Sequence, residues 1–140
     1  MRAVVDASVA TSWVLPYPLS PQAIRIRDEY ILQIHELIAP LCFSDEVASA
    51  LTKAERQKII AVGKAVRLLA NVLHTSPALI PHSHLLQRAT TISSQTRSGL
   101  FDCIYIALTE QEGCEVLTAD QKLVRNVQKQ YPFVRSIDTY

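Results

Sequence analysis

Four acidic residues stand where the surrounding sequence predicts buried structure. Asp6 directly follows the apolar run "AVV", and Asp120 follows the strand-like run "EVLTA". Asp102 lies within "LFDCIYIAL", the pattern of a buried helix, and Glu46 begins the apolar and small stretch "EVASAL". A buried carboxylate without a partner is costly or takes up a proton, whereas a cation shared among several carboxylates removes that cost. Together the four acids favour a metal site.

Three of these acids also have a structural interpretation. Asp120 can cap a helix that begins at Gln121. Asp102 lies in a first helical turn, where the helix dipole favours a negative charge. Asp6 can serve as a turn residue after its strand. Capping and metal binding can coexist, so these interpretations stay open.

Glu46 has a structural alternative of its own. It can be a solvated acid in the first turn of a helix capped by Ser44. The neighbouring Asp45 suits that solvated role better, because Glu46 is nearer to the apolar face that carries Val47 and Ala50. We therefore expect Glu46, and not Asp45, to belong to the acidic site.

The apolar patterns predict strands that alternate with helices. The predicted strands are Ala3–Val5, the segment "LIAP" that ends at Pro40, the segment "ALIP", Glu115–Thr118, and a last strand around Phe133–Ile137. The predicted helices are Ser8–Leu15, a helix from Ser20 with an apolar stripe reaching Ile38, Phe43 to about Gln57, Gly63–Leu73, Leu85–Ser94, Leu100–Glu112 and Gln121–Gln130. This order indicates parallel β-α-β units and an α/β fold with helices on both faces of one sheet.

That topology places two of the acids together. Ligands of open α/β sheets bind beyond the carboxyl ends of the strands. Asp6 and Asp120 each follow a predicted strand, so we expect both at the same edge of the sheet.

Two of the helix predictions include a buried face. In the helix that begins at Ser20, Ile24, Ile31, Ile34 and Ile38 recur at helical spacing. In the helix Gly63–Leu73, the expected buried residues are Val66, Leu69 and Leu73.

Length and composition narrow the protein class. A chain of 140 residues predicts a single domain, 1–140, and 49% hydrophobic residues argue against disorder. The net charge of +1 neither favours nor excludes nucleic acid. Cys42, Cys103 and Cys114 lack C-x-x-C spacing and predict reduced thiols. No apolar run approaches the ~18 residues of a membrane span, so we expect a cytoplasmic protein without membrane contact.

The acidic motifs as a set resemble those of PIN-domain ribonucleases, especially the toxins of VapBC-type toxin–antitoxin pairs. The resemblance runs from residue 1 to about 137, and its third and fourth motifs are the more specific ones. The matching residues are Asp6-Ala7-Ser8, then Pro40 with Glu46-Val47-Ala48-Ser49-Ala50-Leu51, then Phe101-Asp102 with Tyr105, Ala107 and Leu108, and last Leu117-Thr118-Ala119-Asp120.

This resemblance implies a fold, a reaction and a set of roles. The expected fold is a three-layer α/β/α arrangement around a parallel sheet of four to five short strands. The expected activity is Mg²⁺-dependent endoribonuclease cleavage, with Mn²⁺ able to substitute, because carboxylates are hard oxygen ligands. Asp6 and Asp102 are the implied principal metal ligands. Glu46 and Asp120 complete the metal site directly or through water, and one of them can accept a proton from the attacking water. The hydroxyls of Ser8 and Thr118 orient the carboxylates.

The resemblance also implies partners. Beyond an RNA substrate, we expect a homodimer and a cognate antitoxin. The antitoxin is expected to lie in a groove between the helix from Ser20 to Ile38 and the helical region Phe43–Leu73. The first of these helices is apolar on nearly all sides, and such a helix must be covered twice.

Several alternatives remain open on the sequence. The protein could be a catalytically idle PIN-like module that binds RNA or protein. A phosphatase with an aspartyl nucleophile needs a second Asp two residues after the first, where Ser8 stands. His82 and His84 lack a neighbouring carboxylate in the sequence, which argues against zinc. Trp13 and Phe43 suit packing better than base stacking. The basic stretch from Lys53 to Arg67 fits a phosphate contact and a solvated face equally well.

Overall fold

A parallel sheet of five strands forms the centre of the computed structural model, which describes residues 1–140. Its strands lie in the order β3-β2-β1-β4-β5. Their bounds are β1 (Arg2–Val5), β2 (Glu36–Pro40), β3 (Ala78–Ile80), β4 (Glu115–Thr118) and β5 (Val134–Ser136). β1 is therefore the central strand, and Val4 pairs with Ile38 on one side and with Val116 on the other.

Seven helices connect these strands, and a single 3₁₀ turn at Ser83–Leu85 precedes the fifth. The helices are α1 (Ala7–Thr11), α2 (Ser20–Ile31), α3 (Phe43–Arg56), α4 (Lys64–His74), α5 (Leu86–Thr96), α6 (Leu100–Glu112) and α7 (Gln121–Val127). The chain moves outward from β1 to β3 through α2–α4 and returns to β4 through α5 and α6. Right-handed crossovers in opposite directions put these two helix groups on opposite faces. The predicted three-layer α/β/α fold is confirmed.

α6 is the most deeply buried helix. Every residue from Cys103 to Thr109 is buried, and the helix packs against β1, β2 and β4. Gly113 ends it in the left-handed conformation, φ 64°, which glycine adopts at little cost. The deep burial of α6 fixes the position of Asp102 in its first turn relative to the sheet.

The predicted apolar stripe of α2 is not the face that the helix buries, and it does not continue beyond Ile31. The buried residues are Ala23 and Ile26, whereas Ile31 is 55% exposed. The helix ends there, and Gln33 takes a left-handed conformation, φ 61°, that cannot continue it. Ile34 lies in the following turn and is 54% exposed, whereas Ile38 is buried in β2. The helical spacing of these isoleucines therefore spans two different elements.

The buried face of α4 also differs from the prediction. The residues that face the core are Ala65, Leu68 and Val72, while Val66 is 74% exposed. Both sets recur at helical spacing, so α4 carries two apolar stripes. α4 packs against α3. Of the predicted residues, Val66 and Leu73 are exposed, and Leu69 is half-buried against the core.

Other helix ends differ by a few residues. α1 ends at Thr11, α7 ends at Val127, and α5 extends to Thr96. Ser44 is not the cap of α3, because that helix already begins at Phe43. The three cysteines are free thiols. None of the helices is both long enough and apolar enough to cross a lipid bilayer.

Candidate active site

β1 and β4 are neighbouring parallel strands, and their carboxyl ends lie side by side. Val5 is in register with Leu117, and the Asp6 amide donates to the Leu117 carbonyl at 2.9 Å. Asp6 thus lies beside Thr118, and Asp120 follows two residues later. The structure places Asp6 and Asp120 at the same edge of the sheet, as the topology predicts.

Two hydroxyl groups hold the Asp6 carboxylate. Ser8 Oγ and Thr118 Oγ1 donate to Asp6 Oδ2 at 2.6 and 2.8 Å. The same hydroxyl oxygens accept backbone N–H groups, Ser8 from Ala119 and Thr118 from Asp120, both at 3.0 Å. This network links the start of α1 to the end of β4. Because both hydroxyls donate to Oδ2, neither one occupies Oδ1.

The Thr118 hydroxyl is expected to contribute measurably to stability. Thr118→Val keeps the shape but removes the donor to Asp6 and the acceptor for the Asp120 amide, both in a buried setting. We expect the free energy of unfolding at pH 8 to fall by about 1–3 kcal/mol. Urea denaturation measures the change. Thr118→Ser retains the hydroxyl and is expected to recover most of the loss; equal stability of the Val variant and the wild type would contradict this role.

Asp120 caps α7 with one oxygen. Its Oδ1 accepts the Leu123 amide at 3.0 Å, which satisfies an N–H group of the first helical turn. The capping interpretation of Asp120 is therefore confirmed. It uses Oδ1 and leaves Oδ2 without a hydrogen bond from the protein.

Asp102 and Glu46 reach the same region from the first turns of α6 and α3. Asp102 and Asp120 line one shared cavity. Glu46 is half-buried and its Oε1 accepts a weak hydrogen bond from the Cys42 thiol at 3.5 Å, whereas Asp45 is exposed. As expected from the sequence, Glu46 faces the acidic region and Asp45 faces solvent.

The four acids interact electrostatically without a compensating cation. No Lys, Arg or His forms an ion pair with any of them. Burial, together with the charges of Asp6 and Asp120, raises the pKa of Asp102 to about 7. Burial and the charges of Asp6 and Asp102 together likewise raise the pKa of Glu46 to about 7. The pKa of Asp6 is also raised by burial, although the two hydroxyl donors oppose that shift.

These residues fit a hydrated divalent cation better than a closed metal cage. No three His, Cys, Asp or Glu side chains lie close enough together to form a preassembled metal cluster. Mg²⁺ usually keeps several waters and binds through one or two carboxylates, so a looser set of oxygen donors suits it. A cation would also relieve the mutual repulsion that raises the pKa values of Asp102 and Glu46.

Tyr105 belongs to this region, although the sequence analysis assigns it no role at the site. Its buried hydroxyl makes no hydrogen bond of good geometry, but it lies near enough to the Glu46 carboxylate to lower the pKa of that acid. Burial raises the pKa of Tyr105 far above the ordinary value, and the charges of Asp6 and Glu46 raise it further. The hydroxyl therefore stays protonated and can donate. The available signals are its place in the motif that begins at Phe101-Asp102 and its spacing of three residues from Asp102, which puts both residues on one side of α6.

The other candidates from the sequence are accounted for elsewhere. Trp13 and Phe43 are buried in the core, so neither is free to stack on a base. His84 pairs with the Gln111 side chain, and no metal cluster includes it or His82. The basic residues between Lys53 and Arg67 are exposed.

Comparisons with known proteins agree with this architecture. The family model described as "PIN domain" matches residues 3–129. Ribonuclease VapC3 from Pyrobaculum aerophilum is 30% identical over 125 residues, which cover 88% of this chain and 92% of that protein. The crystal structure of PAE2754 from the same organism superposes with a TM-score of 0.69, covering 99% of this chain and 94% of the other, at 19% identity. That last likeness concerns the fold alone.

The family match and the acidic edge of the sheet agree on one conclusion. The matched region extends from β1 beyond the end of α7 and so includes Asp6, Glu46, Asp102 and Asp120. The resemblance drawn from the sequence motifs is confirmed, and the chain belongs to the PIN-domain family.

Proposed function

We propose that this protein is a Mg²⁺-dependent endoribonuclease that hydrolyses RNA phosphodiester bonds and acts as the toxin of a toxin–antitoxin pair in the cytoplasm. One observation carries the proposal: four acids from different elements converge on one edge of the sheet without a cationic partner. The name of the similar ribonuclease from Pyrobaculum aerophilum supports RNA as the substrate and a VapC-type role.

The acids have distinct roles in this proposal. Asp6 and Asp102 are the principal ligands, and Glu46 and Asp120 complete the site directly or through water. The divalent cation supplies charge neutralisation at the phosphate and acidifies the attacking water. Glu46 or Asp120 can also accept a proton from the attacking water. Ser8 and Thr118 orient Asp6 through their hydrogen bonds to Oδ2.

Metal dependence is the first expected result. The purified protein should cleave single-stranded RNA in Mg²⁺, lose that activity in excess EDTA, and regain it when Mg²⁺ or Mn²⁺ is restored. Gel analysis of a labelled RNA measures each step. Cleavage that resists EDTA would contradict the metal mechanism. RNA binding without cleavage in every metal would favour the alternative of an idle RNA-binding module.

We also propose that the antitoxin binds between α2 and α4. A cavity of about 370 Å³ opens there, lined by Trp13, Val14, Arg27, Ile31, Leu68, Asn71, Val72 and Thr75. Ile31 is 55% exposed, and the apolar wall suits an amphipathic helix that inserts its apolar side chains. The groove is thus narrower than the sequence implied, because α2 stops at Ile31 and does not continue to Ile38.

A second copy of the chain is the competing occupant of this surface. Ile34 lines a separate cavity with Met1 and Tyr30 and so lies outside the groove between α2 and α4. The surface around Ile34 is therefore separate from the α2–α4 groove, and the two surfaces can serve a homodimer and an antitoxin independently. We propose that the antitoxin binds in the α2–α4 groove and that the homodimer forms through a different apolar surface.

A further inference from the structure

A second cavity lies directly beside the acids. It has a volume of about 230 Å³, and both Asp102 and Asp120 line it. Arg97 and Lys122 line the same cavity, together with Asn126. The wall thus combines two carboxylates and two basic side chains, which come from the α5–α6 turn and from α7.

The two basic side chains have no protein partner. Neither Arg97 nor Lys122 forms an ion pair, although two carboxylates line the same cavity. By contrast, Arg88 pairs with Glu110 through two hydrogen bonds at 2.9 Å. Arg97 and Lys122 are therefore free to bind an external anion, and guanidinium and ammonium groups are the usual partners of phosphate.

The turn that carries Arg97 is held in place. Asn126 Nδ2 donates to Ser98 Oγ at 2.6 Å and to the Thr96 carbonyl at 3.1 Å, and Ser93 Oγ donates to the Ser98 carbonyl at 2.6 Å. These bonds tie α7 and α5 to the turn. Arg97 has a left-handed backbone, φ 61°, but other helix ends of this chain share that conformation, so strain does not single it out. What distinguishes Arg97 is that its backbone lies in this held turn while its unpaired side chain lines the cavity beside Asp102 and Asp120.

The backbone contributes positive potential to the same cavity. α6 has 13 residues and begins beside Gly99, where no side chain caps its first N–H groups. Such a helix start favours an anion. This potential and the two basic groups together offset the repulsion that Asp102 and Asp120 would exert on a phosphate.

We propose that this cavity binds the RNA phosphate that neighbours the scissile phosphodiester, with Arg97 and Lys122 as its charged ligands and Asn126 as the residue that positions the turn. The proposal rests on the proposed ribonuclease function, because it takes the substrate to be an RNA strand. It also assigns a direction to the strand's path, from the acidic edge toward α7.

Salt dependence tests this assignment. The variants are Arg97→Gln and Lys122→Gln, with Arg125→Gln and Lys129→Gln as controls, because these two exposed residues do not line the cavity. The affinity for a fluorescent single-stranded RNA is measured by anisotropy in EDTA at several salt concentrations. Each cavity variant should make the slope of log K against log salt shallower by about 0.7, the value for one lost phosphate contact.

The outcomes separate this inference from the proposed function. Slopes for the cavity variants that equal those of the two controls would overturn the phosphate assignment. If the slopes change as expected but the wild type cleaves no RNA in Mg²⁺, the phosphate site stands and the nuclease function fails. In active protein, the cavity variants should raise KM several-fold more than they lower kcat. Urea denaturation of each variant verifies that the fold is intact.

Discussion

Replacing Asp102 by Asn is expected to lower RNA cleavage at least about 100-fold, the scale found when one electrostatic group of an active site is removed. Asp102 lies in the first turn of a buried helix, so its carboxylate has a fixed position beside Asp6 and Asp120. Asn has nearly the same shape but carries no charge to hold a cation. Cleavage rates of a labelled RNA at saturating Mg²⁺ measure the effect.

Asp45→Asn is the matched control for this variant. It removes one acidic charge from the exposed position beside Glu46 and should cleave RNA at close to the wild-type rate. An Asp102→Asn protein with wild-type activity would remove Asp102 from the site. Equal losses in both variants would mean that overall charge, and not the acidic site, determines activity.

Asp102→Asn is also expected to stabilise the metal-free protein, by an amount that depends on pH. The pKa of Asp102 is about 7 in the folded state and near its ordinary value of about 4 in the unfolded chain. Between these values the folded state binds more protons, so the free energy of unfolding falls as pH rises. Above pH 7 the Asp102 carboxyl is charged in both states, so the wild type no longer has the stabilisation that proton uptake by the folded state provides. In EDTA, Asp102→Asn should therefore unfold roughly 3–6 °C higher at pH 8, and this difference should shrink steadily as the pH falls towards 4.

Placing a charge at Ile31 is expected to weaken antitoxin binding by at least about 10-fold. Ile31 lines the groove between α2 and α4, and burial of an Ile side chain contributes about 1.5–3 kcal/mol. Because the residue is 55% exposed in the protein alone, Ile31→Asp should leave the fold intact. Titration calorimetry with the cognate antitoxin measures the loss.

Ile34→Asp is a matched control, since Ile34 is similarly exposed but lines a different cavity. It should bind antitoxin with near wild-type affinity. If Ile31→Asp also binds antitoxin unchanged, the groove is not the antitoxin site. If Ile31→Asp instead abolishes self-association while antitoxin binding persists, the groove is the homodimer interface.

The elements best predicted from the sequence are those with strong local signals. β4 was predicted with its observed bounds, and α6 was predicted to end before Gly113, which adopts the left-handed conformation there. α2 and α4 were predicted less well, because apolar spacing alone does not reveal which stripe faces the core. In α2 the stripe ran through a turn and into a strand, and in α4 two stripes competed.

For the site, the order of the strands predicts which acids lie together, whereas contacts between distant segments become visible only in the folded protein. Topology alone places Asp6 and Asp120 together, because both follow strands of one parallel sheet. The roles of Arg97 and Lys122 were not predictable, since the turn before α6 and the start of α7 meet only in the folded protein. Tyr105 was visible within a motif, but its unpaired hydroxyl is a property of tertiary packing.

Direct titration of Mn²⁺ tests the central claim, which is that the acidic edge of the sheet holds a divalent cation. Electron paramagnetic resonance of free Mn²⁺ reports binding without any need for RNA or catalysis. The wild type and Asp45→Asn should bind Mn²⁺ alike, and Asp102→Asn should bind it at least about 10-fold more weakly. Equal Mn²⁺ affinity in Asp102→Asn and the wild type would contradict the account.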